Sequence, residues 1–225
     1  VFRDAEAGST DKRFTANGVF GLGGRIELYP LALVRPAIET ARDFGLTGSY
    51  SRALGLHSRD IDTDTVDTDT VVDTQWYQFS FGMRYRMLGG RNPLALGVTA
   101  GIQRWVFDFS YTMPNRPVAI GRYTLLPLGF DARYSWGPFS LFGDARFLLP
   151  LTISPPGDRT PSGGRWGTQL TLAAAFRVFD FLEGELRGAY TLVSYSIPSG
   201  MGDLVEHGTI YDSALVFSAG VTVVF

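Results

Sequence analysis

Two histidines, His57 beside Ser58 and His207 beside Glu206, are the only imidazoles in the 225-residue chain. A serine nucleophile needs an imidazole within reach to take its proton. Both histidines fall in polar stretches that read as loops, where an imidazole is more often solvated than catalytic. The chain has no cysteine, which excludes a disulfide framework, a thiolate metal site and a cysteine nucleophile. Two histidines leave little for a zinc site. The segment 60–73, DIDTDTVDTDTVVD, holds six Asp and a five-residue repeat. Spaced carboxylates and Thr hydroxyls are oxygen ligands for a hard cation, so Asp62, Asp64, Asp67 and Asp69 are the candidate metal ligands. The segment lacks the glycine of an EF-hand loop and the glycines of calcium-binding nonapeptide repeats. The plainer reading, and the favoured one, is a solvated acidic loop whose Thr and Val extend a hairpin.

Arginine is the third chemical signal. Of 20 basic residues, 19 are Arg and only Lys12 is Lys. This reads either as the coding bias of a GC-rich genome or as a demand for planar, permanently charged groups in buried ion pairs. The net charge of −2 argues against a nucleic-acid partner, which needs a basic face. The chain begins at Val1 without a signal peptide, which fits a processed exported protein or a trimmed start.

The elements that position these residues are strands. No stretch reaches the ~18 uncharged apolar residues of a membrane helix; the longest uncharged run, 188–202, is broken by Ser, Pro and Gly. From Gln75 to Met87, however, the odd positions read Gln, Tyr, Phe, Phe, Met, Tyr, Met, and the even ones Trp, Gln, Ser, Gly, Arg, Arg. Period two with one apolar and one polar face means a strand. The same alternation runs from Phe139, from Thr168 and from Gly184.

Three features separate this pattern from a soluble sandwich. Strands at 94–111 and 119–134 exceed the usual ~5–6 residues. Tight connections at 89–93, 135–138 and 180–182 alternate with longer polar ones at 57–73, 152–165 and 196–207. Aromatics gather at strand ends in two sets that read as belts at bilayer interfaces: Tyr85, Tyr134, Trp136, Phe179 and Phe181 beside tight turns, and Trp76, Trp105, Tyr111, Trp166, Tyr195 and Tyr211 beside long loops. The last strand carries Phe217, Ala219, Val221, Val223 and Phe225 on one face. With its terminal Phe, the chain resembles the small bacterial outer-membrane β-barrels, whose assembly machinery reads such a strand.

That resemblance implies an all-β, transmembrane, antiparallel up-and-down barrel of eight to ten strands at residues 14–225, preceded by an N-terminal segment at 1–13. Its C-terminus would lie at the periplasmic rim, with loops 57–73, 112–118, 152–165 and 196–207 facing outward. Strands fall near 14–28, 40–56, 75–88, 94–111, 119–134, 139–151, 167–179, 183–195 and 209–225. That is nine, and single-chain bacterial barrels are even-numbered. Ten is favoured, through two short strands in 1–28 turning at Gly21, Gly23 and Gly24; eight is the alternative. Residues 29–39, with Pro30 and Pro36, read as a connection.

With the apolar phase toward lipid, the polar phase points inward. Arg25, Glu27, Asp43, Arg84, Arg86, Asp131, Arg133, Asp144, Arg146, Arg177, Glu183, Glu185 and Arg187 then meet near the tight-turn rim. A barrel of this size has an interior about wide enough for side chains to fill, so these charges are expected to pair into a plug. The outward half, lined by small residues such as Thr47, Ser49, Gly97, Thr99, Gly101 and Ala173, is expected to form an open vestibule. On the lipid phase, Arg52 and Arg122 sit near the long-loop rim, joined by Arg104 if a bulge shifts its strand. They are candidates for lipopolysaccharide phosphates or plain snorkelling side chains.

The enzymes known among such barrels set specific requirements. A lipid-modifying hydrolase needs Ser, His and an acid at the lipid-facing rim, and only the loop histidines are on offer. An omptin-like protease pairs carboxylates with an Asp–His couple; Asp62/Asp64 and Asp67/Asp69 supply Asp-x-Asp, but the chain holds no Asp-x-His. The sequence therefore points to a non-enzymatic barrel without a cofactor. Its expected role is structural, adhesive or in assembling envelope complexes, with a narrow channel for small or hydrophobic solutes as the alternative. Its expected partners are outer-membrane lipid, lipopolysaccharide, the barrel assembly machinery and other envelope proteins. Divalent cations shared between the acidic loop and lipopolysaccharide are the modest form of the metal reading.

Overall fold

Period-two patterning becomes strand pairing along nearly the whole chain. The computed structural model describes residues 2–5, 13–15, 19–32, 39–54, 56–61, 70–88, 93–110, 121–154, 165–197 and 208–224. The strands are β1 (Phe2–Ala5), β2 (Arg13–Thr15), β3 (Val19–Leu28), β4 (Phe44–Ala53), β5 (Leu56–Ile61), β6 (Thr70–Leu88), β7 (Leu94–Ser110), β8 (Gly121–Trp136), β9 (Phe139–Ser154), β10 (Arg165–Phe179), β11 (Leu182–Ile197) and β12 (Gly208–Val224). No helix among the described residues is long and apolar enough to cross a membrane.

Nine of these strands, β3, β4 and β6 through β12, close into a ring. Directions can alternate around a ring only when the number is even, so a nine-stranded ring must contain a parallel pair. That pair is β12 and β3, in register from Val216↔Val19 to Val224↔Glu27. Beyond the start of β3, its place is taken by β1 and β2. β1 runs antiparallel to β12, β1 pairs with β2, and β2 with β5, so the parallel junction is confined to the length of β3. The tenth ring strand favoured on even-number grounds is not there: Gly21, Gly23 and Gly24 all lie inside β3 and make no turn. Residues 40–43, expected to open a strand, belong instead to the 3-10 turn Glu39–Asp43. Residues 57–61 and 70–73, expected within a loop, extend the hairpin in β5 and the start of β6.

The described tight connections all lie at one rim. Gly137–Pro138 joins β8 to β9, and Gly137 takes φ +57°, a backbone that a side chain would strain. Asp180–Phe181 joins β10 to β11, and 3-10 turns at Pro30–Ala32 and Glu39–Asp43 lie between β3 and β4.

The molecule is apolar outside, and its interior holds both the charged residues and a set of buried aromatic and aliphatic ones. Phe79, Phe81, Leu170 and Leu172 face outward, with Phe81 63% and Leu172 74% exposed. Tyr134, Trp136, Phe139, Phe176, Phe179 and Phe181 line the short-turn rim in contacting pairs. One irregularity matters for the interior. Thr124 pairs with Thr152 but Leu125 with Pro150, so one extra residue in β9 flips its phase. Leu148 and Ile153 are consequently both buried.

Candidate functional site

The inward phase of the strands brings the predicted charges together near the short-turn rim. Among the described residues, eight ion pairs join Arg25, Arg84, Arg86, Arg133, Arg146, Arg177 and Arg187 to Glu27, Asp43, Asp131, Asp144, Glu183 and Glu185. Arg84 is the hub. Its Nε donates to both oxygens of Asp131 at 3.0 Å, and Nη2 also bonds Asp131. Its Nη1 donates to Glu27 Oε2 at 3.1 Å and to the Tyr29 hydroxyl at 2.8 Å. Gly97 makes room for this cluster, since a Cβ there would stand 2.9 Å from both Arg84 Nε and Asp131 Oδ2. Arg133 donates to Glu183 and, at 2.8 Å, to Ser140 Oγ.

The remaining pairs differ in quality. Arg146 and Arg187 each donate Nε, at 2.5 Å, to the carboxylate two residues earlier on the same strand, Asp144 and Glu185. Thr222 Oγ1 donates to the other Glu185 oxygen at 2.8 Å. Arg86–Asp43 at 3.7 Å and Arg177–Glu183 at 3.8 Å are looser and more exposed. Asp131 and Asp144 stand directly opposite across β8 and β9. Like charges so placed repel, and each is held by a different arginine.

Three partners of this layer were not read from the sequence: Tyr29, Ser140 and Thr222. For Tyr29 the signal was strand phase, because positions 25, 27 and 29 share the inward side. Tyr29 lies just past the end of β3, with the Arg86 guanidinium 3.8 Å over its ring. Burial, with Glu27 alongside, pushes its phenol above the ordinary tyrosine range. It therefore stays protonated, donating to Glu27 at 3.2 Å while accepting from Arg84.

The other half of the lumen corrects two expectations. Trp76, Trp105 and Tyr195, assigned to an outer belt, point inward and are 3%, 2% and 0% exposed. Trp166 and Tyr211, assigned to the same belt, do stand on the outer surface. Inside, Tyr123 bridges Trp105 (ring centroids 6.1 Å) and Tyr195 (6.4 Å), and its hydroxyl donates to Asp212. Leu125, Leu148, Val193 and Gln103 complete a buried layer, so among the described residues this depth of the lumen is filled and is not the small-residue vestibule expected. The physical reason is parity: these aromatics share the inward phase of the polar residues on their strands. Of the small residues, Gly97 belongs to the charge layer, and Ala173 is buried. Thr47, Ser49, Thr99 and Gly101 line a cavity between the two layers.

On the outer face, Arg52, Arg104 and Arg122 are exposed. Arg104 shares the outward phase of Leu94 and Ile102 without any bulge. Tyr77 on β6 is opposite both Arg52 on β4 and Val106 on β7, and Val106 is opposite Arg122 on β8. The three arginines thus fall on one sector of four adjacent strands. Asp62, Asp64, Asp67, Asp69, His207, Tyr111, Phe225 and the His57 side chain lie outside the described residues. Among the described ones, no group of three or more His, Cys, Asp or Glu is placed to hold a metal.

No protein-family model matches the chain, and no curated protein does. Among solved structures, it is similar to the outer membrane protease OmpT from Escherichia coli, with a TM-score of 0.51 and 15% identity over 80% of this chain and 78% of that one. At that identity the likeness is one of fold. A closed ring, an apolar outer face and charges turned inward agree with it: the chain has the fold of a small outer-membrane β-barrel, structurally related to OmpT.

Proposed function

We propose that this barrel is a non-enzymatic envelope component, structural, adhesive or part of an assembly, whose lumen is closed. The observation that carries the reading is the filling of the interior at two depths, by ion pairs and by aromatic and aliphatic side chains. Its specific work then falls to the long connections and to the outer surface. The short-turn rim, with the end of β12, faces the periplasm, and the assembly machinery reads that last strand. Arg52, Arg104 and Arg122 meet lipopolysaccharide phosphates near the interface, where an outward charge costs only about 0–1 kcal/mol. Replacing all three with Gln reduces lipopolysaccharide copurification.

Proteolysis, the activity of OmpT, is not part of this reading, because the chain has no Asp-x-His. Crosslinking in native membranes tests the proposal. Reproducible capture of defined envelope proteins supports it. Altered lipid A on expression, read by mass spectrometry, or peptide cleavage by the purified barrel would replace it with an enzyme.

A further inference from the structure

The cavity between the two layers differs in chemistry from both, and we infer that it binds one small oxyanion of phosphate or sulfate size. Its lining includes three guanidiniums, Arg25, Arg146 and Arg187, and, among the described residues, one carboxylate, Glu185. Glu27 and Asp144, which pair with Arg25 and Arg146, are not part of that lining. The cavity wall therefore carries more guanidinium than carboxylate. Each arginine already has one carboxylate as counter-charge, Glu27, Asp144 or Glu185, so an anion in the cavity would meet the guanidinium side of ion pairs. A single anion among them would be attracted by all three.

The rest of the wall suits an oxyanion better than a halide. Hydroxyls of Ser49, Ser80, Thr99, Thr171 and Thr191 line the cavity. Thr191 Oγ1 accepts from Gln169 Nε2 at 3.1 Å, which leaves its own proton to donate. Thr99 Oγ1 is buried without a hydrogen-bond partner among the described residues. Ser49 and Ser80 bond each other at 2.7 Å, which uses one of their two protons; the remaining hydroxyl donors of the wall match an acceptor with several oxygens. The cavity volume, about 80 Å³, is roughly that of three waters, room for one tetrahedral anion in their place. A metal cation is disfavoured by the three arginines.

The test uses the full chain folded in detergent micelles, with folding verified by its gel-mobility shift. Thermal unfolding is followed in inorganic phosphate and in sodium chloride of equal ionic strength. Wild-type protein is expected to gain a saturable rise of roughly 5 °C in phosphate alone, with one phosphate retained per chain in equilibrium dialysis. Arg187→Gln should lose that rise, and Arg42→Gln, on the exposed 3-10 turn, should keep it. If Arg187→Gln does not fold, Arg146→Gln and Thr99→Val make the same comparison. An equal response to phosphate and chloride overturns the proposal, as does an undiminished phosphate response in the folded cavity variants. Neither result bears on whether the barrel conducts.

Discussion

Two layers fill the same lumen by opposite chemistry. Near the short-turn rim, arginines and carboxylates pair at close range, and Arg84 alone ties together Asp131, Glu27 and Tyr29. Farther along, Trp105, Tyr123, Tyr195, Leu125 and Leu148 pack as in the core of a soluble protein. The charged layer is directional and fails when one partner is lost, because an unpaired buried charge is the costly state. The aromatic layer is non-directional, and its loss scales with the volume removed. A barrel whose outer face is solvated by lipid tails gains little from hydrophobic burial there, so its specific packing has to come from inside.

The comparison breaks most sharply at Arg84. Arg84→Met leaves the fully buried Asp131 carboxylate without its guanidinium. It should cost about 3–5 kcal/mol, read from urea unfolding in micelles. Leu125→Ala, in the other layer, should cost roughly 2–5 kcal/mol and respond little to salt or pH, which distinguishes a void from a broken ion pair. Tyr29→Phe should cost about 1.5–3 kcal/mol near neutrality. Because burial raises the Tyr29 phenol in the folded state, its contribution is complete below the unfolded value of about 10 and is lost as pH rises through the folded one. Wild-type stability should thus fall above pH ~10 more steeply than that of Tyr29→Phe. Arg177→Gln sits at the bottom of the scale: its side chain is 44% exposed and 3.8 Å from Glu183, and the change should cost less than about 1 kcal/mol.

The two layers also differ in how well the sequence announces them. Charges on the polar phase of Gln75–Met87 or Glu183–Arg187 have nowhere to go but inward, so the charged layer follows from alternation and strand direction. Trp76, Trp105 and Tyr195 sit on that same phase, but aromatics near strand ends also suit the bilayer interface, and composition favours the wrong side. Phase was the better guide: Trp76 shares parity with Arg84 and Arg86, and Tyr195 with Glu185 and Arg187. The odd strand number was less legible. It depends on β3 pairing in parallel with β12 and on β1 and β2 taking its place higher up, long-range choices that leave no local pattern. Tyr29 escaped because it follows the last strand residue and reads as part of a connection.

The central claim, a lumen closed by two unlike layers, is tested most directly by the ion current through the refolded wild-type barrel in planar lipid bilayers. The account predicts no steady unitary conductance. A steady, large unitary conductance in every inserted barrel would contradict it, and the narrow-channel reading would take its place.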